Sequence, residues 1–168
     1  MKLNLGCASD VREGYNNVDL HSKNPNVIIS DVRDLSFVQD GEAEEVIAQD
    51  VLEHIPFQDS PACIKEWCRV LAPEGRIFIQ TTNFEEFVKT FTNKVWDIKT
   101  INYMMFAGKG WIDGVSRDQD WHKSIYTAEH IFMELAKNGV EVESARTDYA
   151  KGYCSGNLNL HIWGKKLT

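Results

Sequence analysis

Val46-Ile47-Ala48-Gln49-Asp50-Val51-Leu52-Glu53-His54-Ile55 passes from an apolar run to polar residues and back within ten positions. A short, β-branched apolar run that ends on Gln49 and Asp50 is the pattern of a strand covered on both faces, with its carboxyl end open to water or ligand. Similar units precede it. Lys2–Leu5 alternates polar and apolar and runs into Gly6; Asn17–Leu20 carries Asp19; Val27–Ile29 is followed by Asp31. Short apolar strands with polar residues at one end suit a parallel sheet, whose ligands sit beyond the carboxyl ends of its strands.

Downstream, Asp59 and Ser60 offer helix caps, and Pro61 suits the first helical position. Ile64, Trp67, Cys68 and Leu71 follow at i, i+3, i+4 and i+7, an apolar stripe that Pro73 and Gly75 stop before a strand over Arg76–Thr81. Residues 84–107 read as mainly helical, with Phe84, Phe87, Phe91, Val95 and Trp96 on one face. Residues 108–123 read as a loop too long to be a simple connector. Thr127 can cap a helix carrying Ile131, Leu135 and Ala136 that ends at Gly139, and Val140–Arg146 and Leu158–Trp163 read as two antiparallel strands. No repeat or Gly/Ser/Pro linker divides the chain, so residues 1–168 are expected to form a single domain.

The composition narrows the function. The formal net charge is −7, and the only clustered cations are Lys165 and Lys166, so a nucleic-acid partner is not expected. A small ligand, particularly a cationic one, suits this field better. Cys7, Cys63, Cys68 and Cys154 include no C-x-x-C pair and no histidine at ligand spacing, so no metal site is expected. No apolar run reaches the roughly 18 residues of a membrane span, and Met1–Gly6 shows no signal-peptide pattern; no membrane association and a cytoplasmic location are the expectations.

The turn Leu3-Asn4-Leu5-Gly6-Cys7-Ala8 resembles the first motif of class I S-adenosylmethionine-dependent methyltransferases. Val46–Ile55 resembles the fourth-strand motif of the group that ends in Leu-Glu-His. Leu71-Ala72-Pro73-Glu74-Gly75-Arg76 is similar to that group's Leu-x-Pro-Gly-Gly element, and His122-Lys123-Ser124-Ile125-Tyr126-Thr127 to the opening of its last helix. The resemblance spans residues 2 to about 164. It implies an α/β fold: a Rossmann-like, mostly parallel sheet with a C-terminal antiparallel hairpin. It also implies S-adenosylmethionine as cofactor. Gly6, with Cys7 and Ala8, would let the backbone approach the methionine portion; Asn4 would meet its amino end; Asp19 would accept from the ribose hydroxyls. Asp31 and the backbone of Val32 would serve the adenine, and Gln49 and Asp50 would close the site at the fourth strand.

Three departures stand out. Ala8 replaces a second glycine, Asn4 replaces an acid, and Gly6 to Asp19 is only 13 positions (19 − 6) where a dinucleotide fold places its acid roughly 20 on. The first crossover is therefore expected to be the loop Ser9–Asn16 with no helix. Such shortened forms resemble a subgroup found near polysaccharide-synthesis enzymes. The implied reaction is in-line methyl transfer to a small-molecule acceptor, among which a sugar or polysaccharide precursor is considered. Alignment of reactants can supply on the order of 7–11 kcal/mol of the barrier.

For a base, His122 is the candidate, in a loop with Trp111, Asp118, Asp120 and Trp121; His54 and Glu53 read as structural, and Asn83 as a turn former. The rival reading is a non-catalytic S-adenosylmethionine-binding or interaction module. A nicotinamide enzyme is disfavoured because G-x-G-x-x-G is missing.

Overall fold

The computed structural model describes residues 1–102, 105–106, 121–149 and 158–168. Its seven strands form one sheet: β1 (Lys2–Leu5), β2 (Asn16–Asp19), β3 (Ile28–Ile29), β4 (Ala43–Gln49), β5 (Leu71–Thr82), β6 (Val140–Tyr149) and β7 (Leu158–Lys166), in spatial order β3-β2-β1-β4-β5-β7-β6. The first five are mutually parallel, and β7 inserts antiparallel between β5 and β6. The order reverses between β1 and β4, so a crevice opens beyond the carboxyl ends of these neighbours. The mostly parallel sheet with an antiparallel pair at its end is the architecture the sequence implies.

One face carries the main core. Leu3, Leu5, Val46, Ala48, Ile77, Ile79, Leu160 and Ile162 alternate toward it and meet Ile64 and Trp67 of α1 (Ser60–Val70) and the α4 (Ala128–Lys137) residues Ile131 and Leu135. The other face is built differently. The crossovers after β1 and β2 contain no helix, and the row Asn17, Asn4, Ile47, Phe78, Trp163, Ser144 runs across the sheet in register. Phe78 is buried there by its own neighbours: its ring centroid lies 4.5 Å from that of Trp163 and 5.6 Å from that of His161.

Several local expectations shift. The run at Asn17 begins one residue earlier and ends at Asp19, leaving Leu20 outside the strand and exposed. Leu71 opens β5 instead of closing the helix, and the Pro73–Gly75 segment is absorbed as a register shift opposite Ala43 and Glu45. Asp59 makes no capping bond to α1, because its carboxylate takes Arg33; Ser60 Oγ donates to the Phe57 carbonyl. Residues 84–102 are broken into α2 (Phe84–Thr92) and α3 (Ile98–Asn102), with Lys94 at φ +56° between them. The expected common apolar face is lost with that break, since Phe87 and Trp96 are buried while Phe91 and Val95 are exposed. Asn83 and Thr127 do cap α2 and α4, accepting from the Glu85 and Glu86 N–H groups and from the His130 N–H respectively. Among the described residues, no helix is long and apolar enough to cross a membrane.

Candidate functional site

The carboxyl ends of β1, β2, β3 and β4 bring most of the expected site residues to one edge. Gly6 follows β1 at φ +63°, and a Cβ placed on it would lie 2.5 Å from Cγ2 of Val51. Glycine is thus required for conformation and for space. Ala8 continues the turn at φ +44°, a left-handed conformation that costs an L-residue roughly 1–2 kcal/mol. Two hydrogen bonds hold the turn to β2: Cys7 N–H donates to the Val18 carbonyl at 3.1 Å and Ala8 N–H to Asp19 Oδ2 at 3.0 Å. Asp50 closes β4 at φ +51°, its N–H bonded to the Gln80 carbonyl and its Oδ1 accepting from Gln80 Nε2. Left-handed non-glycine residues at both β1 and β4 ends place backbone strain where a ligand would sit.

The shortened first crossover is held by buried amides. Asn4, 2% exposed, donates both Nδ2 protons within the protein, to the Asp10 carbonyl at 2.6 Å and to Asn17 Oδ1 at 2.9 Å. Asn17 Oδ1 also accepts from the Arg12 N–H, and its Nδ2 donates to the Arg12 and Tyr15 carbonyls. These two side chains supply the hydrogen bonds that the loop backbone cannot make as a helix. They also use up the Asn4 donors, so that residue secures the loop.

Asp19 Oδ2 serves the turn and Oδ1 accepts from the His21 N–H, which leaves further lone pairs on each oxygen for ribose hydroxyls. Asp19→Ala is expected to weaken cofactor affinity roughly 10- to 100-fold, with Asp19→Asn losing nearly as much. Calorimetry on the folded variants checks this; unchanged affinity would leave Asp19 as a turn residue. Asp31 is paired with Arg33, whose guanidinium holds its carboxyl below the usual range. The next peptide is fixed from below: the Val32 carbonyl accepts from Nε1 of the fully buried Trp67 at 2.9 Å. Nothing in the spacing of Trp67 distinguished this positioning role from core packing.

The Leu-Glu-His segment is a 3₁₀ turn knitted to the stretch before α4. Ser124 Oγ donates to the Ile55 carbonyl at 2.7 Å, the Lys123 and Ser124 N–H groups donate to the Glu53 carbonyl, and the Tyr126 hydroxyl bonds the Leu52 carbonyl. His54 Nδ1 lies 3.2 Å from the Trp121 carbonyl, and the His54 and His122 rings meet edge to face with centroids 5.0 Å apart. The two histidines separated in the sequence reading are therefore one unit. Burial and repulsion from His54 lower the His122 pKa to about 4, against the opposing pull of the Met105 backbone. Its Nδ1 is buried without a hydrogen-bond partner among the described residues. Trp111, Asp118 and Asp120 lie outside the described residues.

Glu53 is 1% exposed, with Oε2 accepting from Thr81 Oγ1 at 2.9 Å. Burial, reinforced by the charge of Asp50, raises its pKa to about 8. The native carboxyl thus holds its proton through the interval from the usual glutamate value to about 8, where the unfolded chain has released it. Its contribution to stability is present at acidic pH and is lost as pH rises through about 8. Glu53→Gln keeps an acceptor for Thr81 and removes the titration. Denaturation at pH 5 and pH 9 should show the variant gaining about 3–5 kcal/mol on the wild type across that interval; parallel profiles would contradict it.

The cofactor implied by the sequence fits these residues. The edge offers a turn that only small side chains tolerate, a carboxylate with spare lone pairs at β2, and a fixed Asp31–Val32 peptide beside β3. Comparison with known proteins gives a family match over part of the chain and neighbours in fold. The family described as a methyltransferase domain matches residues 7–79. No curated protein matches the chain. Among solved structures, an S-adenosylmethionine-dependent methyltransferase from Methanosarcina mazei superposes with a TM-score of 0.69 at 16% identity, covering 99% of this chain and 92% of that one. The 1,6-didemethyltoxoflavin-N1-methyltransferase of Burkholderia thailandensis, solved with 1,6-didemethyltoxoflavin and S-adenosylhomocysteine, gives 0.65 at 14% identity over 99% and 71% of the two chains. The magnesium protoporphyrin IX methyltransferase of Synechocystis, solved with S-adenosylhomocysteine, gives 0.61 at 12% identity over 99% and 74%. At these identities the likeness is one of fold.

Proposed function

We infer that this chain, a class I methyltransferase that carries the methyltransferase-domain family match over residues 7–79, methylates a small-molecule acceptor, with a sugar or polysaccharide precursor as the favoured class. The observation that carries the reading is the convergence of Gly6, Asp19, Asp31 and Gln49 at the carboxyl ends of four adjacent parallel strands. S-adenosylmethionine supplies a methyl group already activated on a sulfonium, so the protein's task is to align and to exclude water.

The small acceptor is supported by the acidic field and by the His54–His122 pair beside Trp121, which is 46% exposed and offers an aromatic face on which a sugar can stack. Among the neighbours by fold, the Burkholderia thailandensis protein is a 1,6-didemethyltoxoflavin-N1-methyltransferase, solved with 1,6-didemethyltoxoflavin bound. His122 is the proposed base. Its ring is neutral above about pH 5, so it can accept an acceptor proton as the methyl bond forms.

The test is incubation with methyl-labelled S-adenosylmethionine and a small-molecule extract, followed by fractionation of the label. Label in low-mass sugar-containing products is expected. Label only in protein or nucleic acid would overturn the acceptor class. Tight cofactor binding with no transfer to any fraction would favour the non-catalytic binding module.

A further inference from the structure

The shortened first crossover carries a feature that the motif pattern does not contain. Arg12 lies in the loop between β1 and β2, anchored through its own N–H and carbonyl to the buried Asn17 side chain. Its Nε and Nη2 both donate to Asp10 Oδ2, at 2.8 and 2.7 Å, and Nη2 also donates to Gln49 Oε1 at 2.9 Å. Nη1 has no partner among the described residues, and the side chain is partly exposed.

Gln49 follows Ala48, which pairs with Leu5, so Gln49 stands beside Gly6 at the sheet edge. The bond to Gln49 therefore places the guanidinium over the end of β1, next to the glycine turn. A cation and an anion, Arg12 and Asp10, are held side by side there. That pair is complementary to an α-amino acid, which presents a carboxylate and an ammonium on one carbon. Among the described residues, the two N–H groups of Nη1 remain free to donate to a carboxylate. Both Asn4 Nδ2 protons are committed to Asp10 and Asn17, so Asn4 has no donor left for the carboxylate.

We propose that Arg12 and Asp10 form the clamp for the zwitterionic methionyl end of the cofactor, Arg12 taking the carboxylate and Asp10 the ammonium. The inference rests on the S-adenosylmethionine reading above and assigns a binding role to residues of the loop that replaces a helix. The rival explanation is that Arg12 only ties the loop to β4. The two differ in what they predict for a ligand that lacks the carboxylate.

The experiment is a calorimetric cycle with S-adenosylhomocysteine and its decarboxylated analogue, on wild type, Arg12→Ala and Arg12→Lys. Wild type is expected to prefer the intact ligand by at least tenfold. Arg12→Ala should lose at least tenfold in affinity for the intact ligand, stay within about twofold for the analogue, and so erase the preference. Arg12→Lys should retain part of it, since an ammonium supplies the charge without the fork. Equal losses for both ligands, or no loss for either, would overturn the clamp and leave Arg12 as a loop tie. Wild type that binds neither ligand would overturn the cofactor reading beneath it.

Discussion

Gly6→Ala is expected to destabilise the protein by about 2–5 kcal/mol and to weaken cofactor binding on the order of 10²-fold. Two effects combine at this position. The residue sits at φ +63°, where an L-side chain costs roughly 1–2 kcal/mol, and its Cβ would come within 2.5 Å of Val51 Cγ2 and 2.8 Å of Val51 Cβ. Overpacking of this kind typically costs about 1–3 kcal/mol. The clash involves the end of the β4 motif, so relief requires the β1 and β4 ends to move apart. A displacement near 1 Å at a positioning element can cost about 10²-fold. Urea denaturation and calorimetry read the two effects separately. Val51→Ala in the same chain should restore part of the stability by removing both methyl groups, while the backbone strain persists. A Gly6→Ala protein with wild-type stability and affinity would mean the turn is not where the cofactor meets the chain.

His122→Ala should lower methyl transfer by roughly 10² or more and leave S-adenosylhomocysteine affinity within about threefold, if proton removal accompanies transfer. The ring is held neutral by burial and by His54, so the wild-type rate should show no His122 break between pH 6 and 8 and should fall only below about pH 5. His54 faces it edge-on and is itself tied to the Trp121 carbonyl. His54→Ala should therefore destabilise by about 1 kcal/mol through loss of that tie. Wild-type turnover in His122→Ala would leave alignment as the whole mechanism.

Much of the frame was legible because parallel strands and their ends have simple signatures. The apolar runs at Lys2–Leu5 and Val46–Gln49, the Pro61 start and the Thr127 cap all correspond to elements of the fold. The antiparallel pairing of β6 and β7 follows their adjacent, alternating runs. The insertion of β7 between β5 and β6 has no local signal, because strand order is set by long-range pairing. The break at Lys94 was hidden for a related reason: Phe91 and Val95 keep helical spacing from Phe87, but among the described residues both stay exposed.

The position of Gly6 and the strand-end acids at one sheet edge was legible because each ends a recognisable run. Arg12 was not, because its role depends on Asn4 and Asn17 folding the loop over the helix-free face. Nor was the His54–His122 contact, which joins residues 68 positions apart (122 − 54) through the bonds of Ser124 to the Leu-Glu-His turn.

The central claim is that the edge formed by Gly6, Asp19, Asp31 and Gln49 holds S-adenosylmethionine. Titration calorimetry of the full chain with S-adenosylhomocysteine, run beside NAD, tests it most directly. The account predicts a micromolar dissociation constant for S-adenosylhomocysteine, about −8 kcal/mol, and no measurable heat with NAD. Binding of NAD with no binding of S-adenosylhomocysteine would contradict it.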